Sequence, residues 1–194
     1  MVKVLFIGNS HTYYNDMVMM FKNKCNENRI EVDVTMLTHG GKTLLWHSDE
    51  PEIRFNILYG EYDYVVLQDA AHPFVGEENL LSGVKKIKKY IDEIEARTVL
   101  YMTWEEKINI QNQEKMSLAY RNVASKTNSM LAPVGDYWNK AIVNDPNIEL
   151  FADDGRHASE LGSFLTSNVL YYSIFEELEN IDIKTMIDSF KKIK

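Results

Sequence analysis

Val2-Lys3-Val4-Leu5-Phe6-Ile7-Gly8-Asn9-Ser10-His11-Thr12 opens the chain, and its reading decides the fold. A short apolar run stops at Gly-Asn-Ser. Soon after, Met17, Met20, Phe21 and Cys25 recur at helical spacing. This pattern predicts a buried strand over 3–7 that delivers a serine to its exposed carboxyl end, then a helix over 16–27. Near the other end of the chain stands Asp154-Gly155-Arg156-His157. An Asp-x-x-His and a distant strand-end serine together supply the three parts of a hydrolytic triad.

Outward from that strand, apolar runs and helical patterns alternate. Residues 31–37 form a second strand in which Val32, Val34 and Met36 alternate, and a Gly40-Gly41 turn follows. The stretch from there to Gly60 carries no clear pattern. Strand three covers 62–68, and its Val65-Val66-Leu67 core suggests burial on both faces. Leu80, Val84, Ile87, Ile91 and Ile94 mark an amphipathic helix whose Lys85, Lys86, Lys88 and Lys89 form a solvated face. Strand four covers 98–103. A helix over 111–126 follows, with Met116, Ala119, Tyr120 and Val123 inward, then strand five over 130–134. A short helical piece and an irregular loop lead to Asp153. Helices over 159–177 and around Ile183, Met186, Ile187 and Phe190 complete the chain.

Strands alternating with helices imply a five-stranded parallel sheet inside a three-layer α/β/α sandwich of the flavodoxin-like kind. The 194 residues suffice for one domain spanning 1–194, with no repeat or linker. Ligands of such sheets bind beyond the carboxyl ends of the strands. Ser10, Gly41, Gln68 and Trp104 follow strands one to four, and Asp154 and His157 follow strand five. Five segments thus bring polar or permissive residues to one edge.

Composition narrows the classes of partner. Hydrophobic residues make up 45% and charged residues 26%, as in a globular chain. A net charge of -8 argues against nucleic acid, whose phosphates need a basic face. Cys25 has no second cysteine to pair with and reads as a small buried hydrophobe. No run approaches the roughly 18 apolar residues of a membrane span, and the N-terminus reads as a strand rather than a signal peptide. The expected location is cytoplasmic, without membrane partners. The oligomeric state is not legible.

Each chemical candidate has a plain structural alternative. Ser10 could simply cap a turn, and Gly-x-Ser tripeptides are common. It becomes a nucleophile only if a base removes its proton, and the amides of a following helix would favour negative charge there. Asp154 would orient His157 as that base; a shift of one residue would give the role to Asp153. His39-Gly40-Gly41-Lys42-Thr43 imitates a phosphate loop, but the required earlier glycine is Met36. Gly41 is instead the candidate backbone oxyanion donor, with Gly40 as the alternative. Gln68 could add a side-chain amide to the same hole or be a satisfied core amide. His11, His39, His47 and His72 are scattered without metal-ligand spacing, so neither a metal nor a cofactor is expected. Trp46, Trp104 and Tyr13 are candidate pocket walls.

At these residues the chain resembles the SGNH (GDSL-like) hydrolases. Gly8-Asn9-Ser10 is similar to their first block, with Asn9 where many members carry Asp. Gly40-Gly41-Lys42-Thr43 is similar to the second, and Asp154-x-x-His157 to the last. The third block, Gly-x-Asn-Asp, is absent. Leu67-Gln68-Asp69-Ala70-Ala71-His72 stands there, which makes Gln68 the replacement for the family asparagine. The resemblance implies an esterase, lipase or carbohydrate deacetylase that works through an acyl-enzyme on a small-molecule or carbohydrate ester. Ser10, Asp154 and His157 would be catalytic, and Ser10, Gly41 and Gln68 would form the oxyanion hole. Without a long apolar lid segment, a short-acyl ester fits better than a triglyceride. The competing expectations are a flavodoxin-like ligand-binding module, or a degenerate member that binds a glycan without cleaving it.

Overall fold

Along β1 (Val2–Gly8) successive side chains leave the sheet on opposite faces, and both faces are dry. Val4 and Phe6 enter one core layer, Leu5 and Ile7 the other. In the computed structural model, which describes residues 1–193, β1 pairs with β2 (Val32–Thr38) on one side and β3 (Tyr64–Leu67) on the other. β4 (Arg97–Tyr101) and β5 (Met130–Ala132) extend the sheet, and every pairing is parallel, in the order β2-β1-β3-β4-β5.

Parallel pairing obliges each connection to cross over the sheet, and helices make the crossings. In chain order they are α1 (Ser10–Tyr13), α2 (Met17–Glu27), α3 (Leu44–His47), α4 (Pro51–Tyr59), α5 (Glu77–Glu93), α6 (Gln113–Thr127), α7 (Val134–Asn144), α8 (Glu160–Phe175) and α9 (Ile183–Ile193). Phe21, Trp138, Leu165 and Ile187, from α2, α7, α8 and α9, cover the Val4–Phe6 face. Leu44, Ile57, Val84 and Tyr120, from α3 to α6, cover the Leu5–Ile7 face. The result is the three-layer α/β/α sandwich expected from the sequence. No helix among the described residues is long and apolar enough to cross a membrane.

Three details differ from the sequence reading. The unassigned stretch before Gly60 holds α3 and α4, and α4 starts with Pro51 and buries Ile53 and Ile57 one turn apart. Its remaining face is polar and exposed, which hid the period. Met36 is 43% exposed although Val32 on the same strand is buried. β2 is an edge strand, and its residues beyond Val32 are only partly covered or exposed. Val134, expected at the end of a strand, instead begins α7 directly after Pro133.

The chain leaves β1 toward β2 and later returns to β3 on the opposite side. A crevice therefore opens at the carboxyl ends of β1 and β3. Gly8 sits there because nothing larger fits: a Cβ would lie 2.4 Å from Thr12 Oγ1 and 2.6 Å from Gln68 Oε1. Overpacking of this kind costs about 1–3 kcal/mol. Gly8→Ala is therefore expected to lower Tm by roughly 2–12 °C, at about 2–4 °C per kcal/mol for a chain of this size, read by thermal unfolding. A Tm within about 1 °C of the parent would contradict the close packing.

Candidate active site

The crevice gathers residues that are far apart in sequence. Asn9 caps α1 by accepting the His11 N–H on its side-chain oxygen at 3.1 Å, and Ser10 follows as the first helical residue. From the far end of the chain, residues 152–157 fold into a tight turn. Gly155 takes φ +67, a left-handed conformation that favours glycine. The Ala152 N–H bonds the His157 C=O at 2.9 Å, which closes the turn.

Within that turn Asp154 accepts three hydrogen bonds. Oδ1 takes the backbone N–H groups of Arg156 and His157, each at 2.9 Å, and Oδ2 lies 2.5 Å from His157 Nδ1. His157 Nε2 lies 2.8 Å from Ser10 Oγ. A carboxylate can only accept, so Nδ1 carries the proton and Nε2 offers a lone pair to the serine hydroxyl. Burial pushes the Asp154 carboxyl up, but the His157 hydrogen bond and the two backbone N–H groups outweigh it and hold it at about 2. Asp154, not Asp153, meets the histidine. The Tyr14 ring stacks on the imidazole at 4.5 Å and 17°.

Among solved structures, the chain is similar to a GDSL-like lipase from Parabacteroides merdae, with a TM-score of 0.70 and 16% identity over 89% of this chain and 94% of that one. It is similar to the acetyl xylan esterase AlAXEase, with a TM-score of 0.70 and 14% identity over 90% and 100% of the two chains. It is also similar to a carbohydrate esterase of family 3 from Talaromyces cellulolyticus, at 0.72 and 10% over 94% and 100%. No family model and no curated protein sequence matches it. The fold is that of the SGNH (GDSL-like) hydrolases.

On this SGNH fold, Gln68 does not take the place expected for it. Its side chain is fully buried. Oε1 accepts the Asn9 N–H at 2.8 Å and the Thr12 hydroxyl at 3.0 Å, and the NH2 donates to the Asp69 C=O. Every polar atom of the carboxamide is thus engaged inside the protein, and none lines the cleft beside Ser10. The physical reason is the orphan Asn9 N–H: left buried and unpaired, it would cost about 1–3 kcal/mol. Gln68 positions the Ser10 turn instead.

Gly41 does line the Ser10 cleft, together with Gly40, Ala70 and Tyr13. Its φ of +70 with open space around a would-be Cβ shows that backbone conformation, not crowding, asks for glycine. Among the described residues, neither the Gly41 N–H nor the Ser10 N–H has a protein partner. Asn9 and Asp69 hold the Gly41 loop in place. Asn9 Nδ2 donates to the Lys42 C=O at 3.0 Å, and Asp69 Oδ1 accepts the Leu44 N–H at 2.8 Å. The Asn9 bond explains an amide rather than a carboxylate at this position, because a carboxylate could not donate to a carbonyl.

Three further histidines support the site, and their spacing in sequence carries no signal. His47 Nε2–H donates to the Gly8 C=O at 2.8 Å. His72 Nε2–H donates to the Trp104 C=O at 3.0 Å, which leaves its Nδ1 bare to accept from His11 Nε2–H at 3.1 Å. Trp104 is core rather than pocket wall: it is fully buried and stacks on Trp138 at 3.7 Å. It still reaches the 152–157 turn, donating from Nε1 to the Arg156 C=O at 2.9 Å. Trp46 packs on His39 and His47 instead of lining the cleft. Among the described residues, no group of three or more His, Cys, Asp or Glu is arranged to hold a metal.

Burial drives these imidazoles toward the neutral form, taking His11 to about 3 and His47 to about 4. In the unfolded chain each would gain a proton below about pH 6.5. Between about pH 4 and 6.5 the unfolded state therefore binds more protons, and stability falls as pH falls through that window. His47→Gln, which keeps an N–H donor for Gly8, is expected to reduce that slope by about 1 kcal/mol per pH unit. Urea unfolding at pH 4.5, 5.5, 6.5 and 7.5 checks this, and a slope equal to the parent's would contradict it.

Proposed function

We propose that this chain is a serine esterase of the SGNH (GDSL-like) hydrolase family that cleaves short-acyl esters through an acyl-enzyme. The observation that carries the reading is the Ser10–His157–Asp154 line, with contacts of 2.8 Å and 2.5 Å. Ser10 Oγ attacks the ester carbonyl while His157 Nε2 takes its proton. The oxyanion turns to the free N–H groups of Ser10 and Gly41. His157 then protonates the leaving alcohol as the bond to the acyl carbon breaks. Water enters, gives a proton to His157, and releases the acid; that proton returns to Ser10. Asp154 keeps the imidazole in the Nδ1–H tautomer and offsets its charge in each transition state.

The neutral His11 and His72 suit this cycle. A second imidazolium beside His157 would oppose the charge that His157 must gain, and burial of both rings avoids it. A cleft of about 400 Å³ that must also admit the alcohol supports a short acyl group. With Gln68 occupied elsewhere the hole has two donors. Since one oxyanion donor is worth about 10²–10³ in rate, that bears on efficiency more than on reaction type.

The test is hydrolysis of a p-nitrophenyl ester series, acetate to octanoate, by the parent and Ser10→Ala. The expected result is a preference for acetate and a loss on the order of 10⁴–10⁶ in kcat for the variant. Equal rates in the two proteins would overturn the reading and favour a module that binds its ligand without cleaving it. Asp154→Asn is expected to keep substrate binding while kcat falls by about 10⁴, which the same assay reads as a kcat effect with little change in KM.

A further inference from the structure

Between α1 and α2 the chain passes through two consecutive left-handed residues, Asn15 at φ +52, ψ +32 and Asp16 at φ +54, ψ +37. Residues other than glycine rarely adopt this region, and Asn and Asp do so most readily among them. Glycine would make the same turn without the steric cost of a Cβ. A side chain at a position where the backbone favours none calls for a reason in its contacts.

The contacts of Asn15 run to the segment that carries His157. Its Nδ2 donates to the Ala158 C=O at 2.9 Å and to Ser163 Oγ at 3.0 Å. Ala158 follows His157 in the chain, and buried Ser163 lies in the first turn of α8. The Ser163 hydroxyl donates in turn to the Tyr14 C=O at 3.3 Å. At the other end of this strap, the Tyr14 N–H bonds the Ser10 C=O, and the Tyr14 ring is the one stacked on His157. Residues 14 and 15 thus hold the backbone of Ser10 on one side and the flank of His157 on the other.

We propose that Asn15 is a positioning residue of this site: its carboxamide, mounted on a left-handed strap that starts at Ser10, fixes the segment of the base against the segment of the nucleophile. The effect on rate rests on the serine-esterase reading. The Asp154–His157 bond cannot set the distance to Ser10, because both its partners sit on one turn. The 2.8 Å approach of His157 Nε2 to Ser10 Oγ requires that turn to be placed against α1. The Ser10–His157 bond cannot hold it there throughout a turnover. Once Ser10 Oγ carries the acyl group it has no proton to donate, and its bond to Nε2 lapses. The Asn15 bonds use neither reacting atom, so they keep the imidazole in place for the water that follows.

Three variants separate the tie from the turn. Asn15→Gly keeps the left-handed turn and removes both donors. Asn15→Asp keeps the shape, but an ionised carboxylate can only accept. Asp16→Gly relaxes the neighbouring left-handed residue, whose exposed side chain does not cap α2. On p-nitrophenyl acetate, kcat is expected to fall about 10- to 100-fold in both Asn15 variants with KM within about threefold, while Asp16→Gly stays within about twofold of the parent. Parent kcat in the Asn15 variants, or an equal loss in Asp16→Gly, overturns the proposal. A second readout needs no turnover: the ¹⁵N resonance of His157 Nε2. Ser10→Ala removes the hydroxyl that donates to this nitrogen, and is expected to move the resonance in the parent but at most about half as far in Asn15→Gly. No move in the parent, or an undiminished one in Asn15→Gly, overturns the positioning role. The p-nitrophenyl acetate rates of the parent and Ser10→Ala show separately whether the esterase reading stands, and the ¹⁵N comparison decides the role of Asn15 in either case.

Discussion

The site depends on one buried junction, where the Gln68 carboxamide meets the end of β1. Its Oε1 holds the Asn9 N–H and the Thr12 hydroxyl, and it lies where any side chain on Gly8 would go. Because Gln68 N–H also bonds the Ile7 C=O at 2.9 Å, the junction is an extension of the β1–β3 ladder. The ladder therefore passes its register directly to the turn that carries Ser10. That tie to the sheet is the preorganisation that the proposed acyl transfer needs.

From that junction the constraint spreads through groups with only one way to bond. The Gly8 C=O accepts from both His39 N–H and His47 Nε2–H. Asn9 uses both ends of its carboxamide, one on the α1 N-terminus and one on the loop that contains Gly41. On the opposite wall, the Trp104 carbonyl can only accept, and this orders the His72–His11 pair without ambiguity. Ser10, Gly41 and His157 come from three separated segments. The first two are tied to the sheet by buried hydrogen bonds, and the third by the partly buried bond from Trp104 to Arg156. The buried bonds are strong because water cannot compete for them.

The helices contribute differently. They supply the apolar mass that keeps those polar bonds dry, on both faces of the sheet. They add few polar groups to the Ser10 cleft itself. The stacked Trp104–Trp138 pair is the exception, since it joins the core beneath α7 and α8 through Arg156 to the turn that carries Asp154 and His157. That link couples stability of the core to the placement of His157.

Much of this was legible in the chain by itself. The buried strand 3–7, the alternation of strands and helices, and the strand-end positions of Ser10, Asp154 and His157 follow from period and turn chemistry, which are local. The segment holding α3 and α4 was not legible, because only Ile53 and Ile57 mark the inward face of α4. The side-chain roles were less accessible still. The sequence offers Gln68 as an amide free to meet an oxyanion, while the fold spends it on the Asn9 N–H. His11, His47 and His72 stand at no motif spacing, and Trp104 is an aromatic like any other. Their functions arise from which acceptor each one meets in space. The sequence determined the elements and the edge at which they deliver polar residues, because backbone periodicity is a property of neighbours in the chain. Only the tertiary structure decided which of those residues face the cleft and which are consumed in holding it, because a buried donor takes the nearest acceptor in space, whatever its distance in sequence.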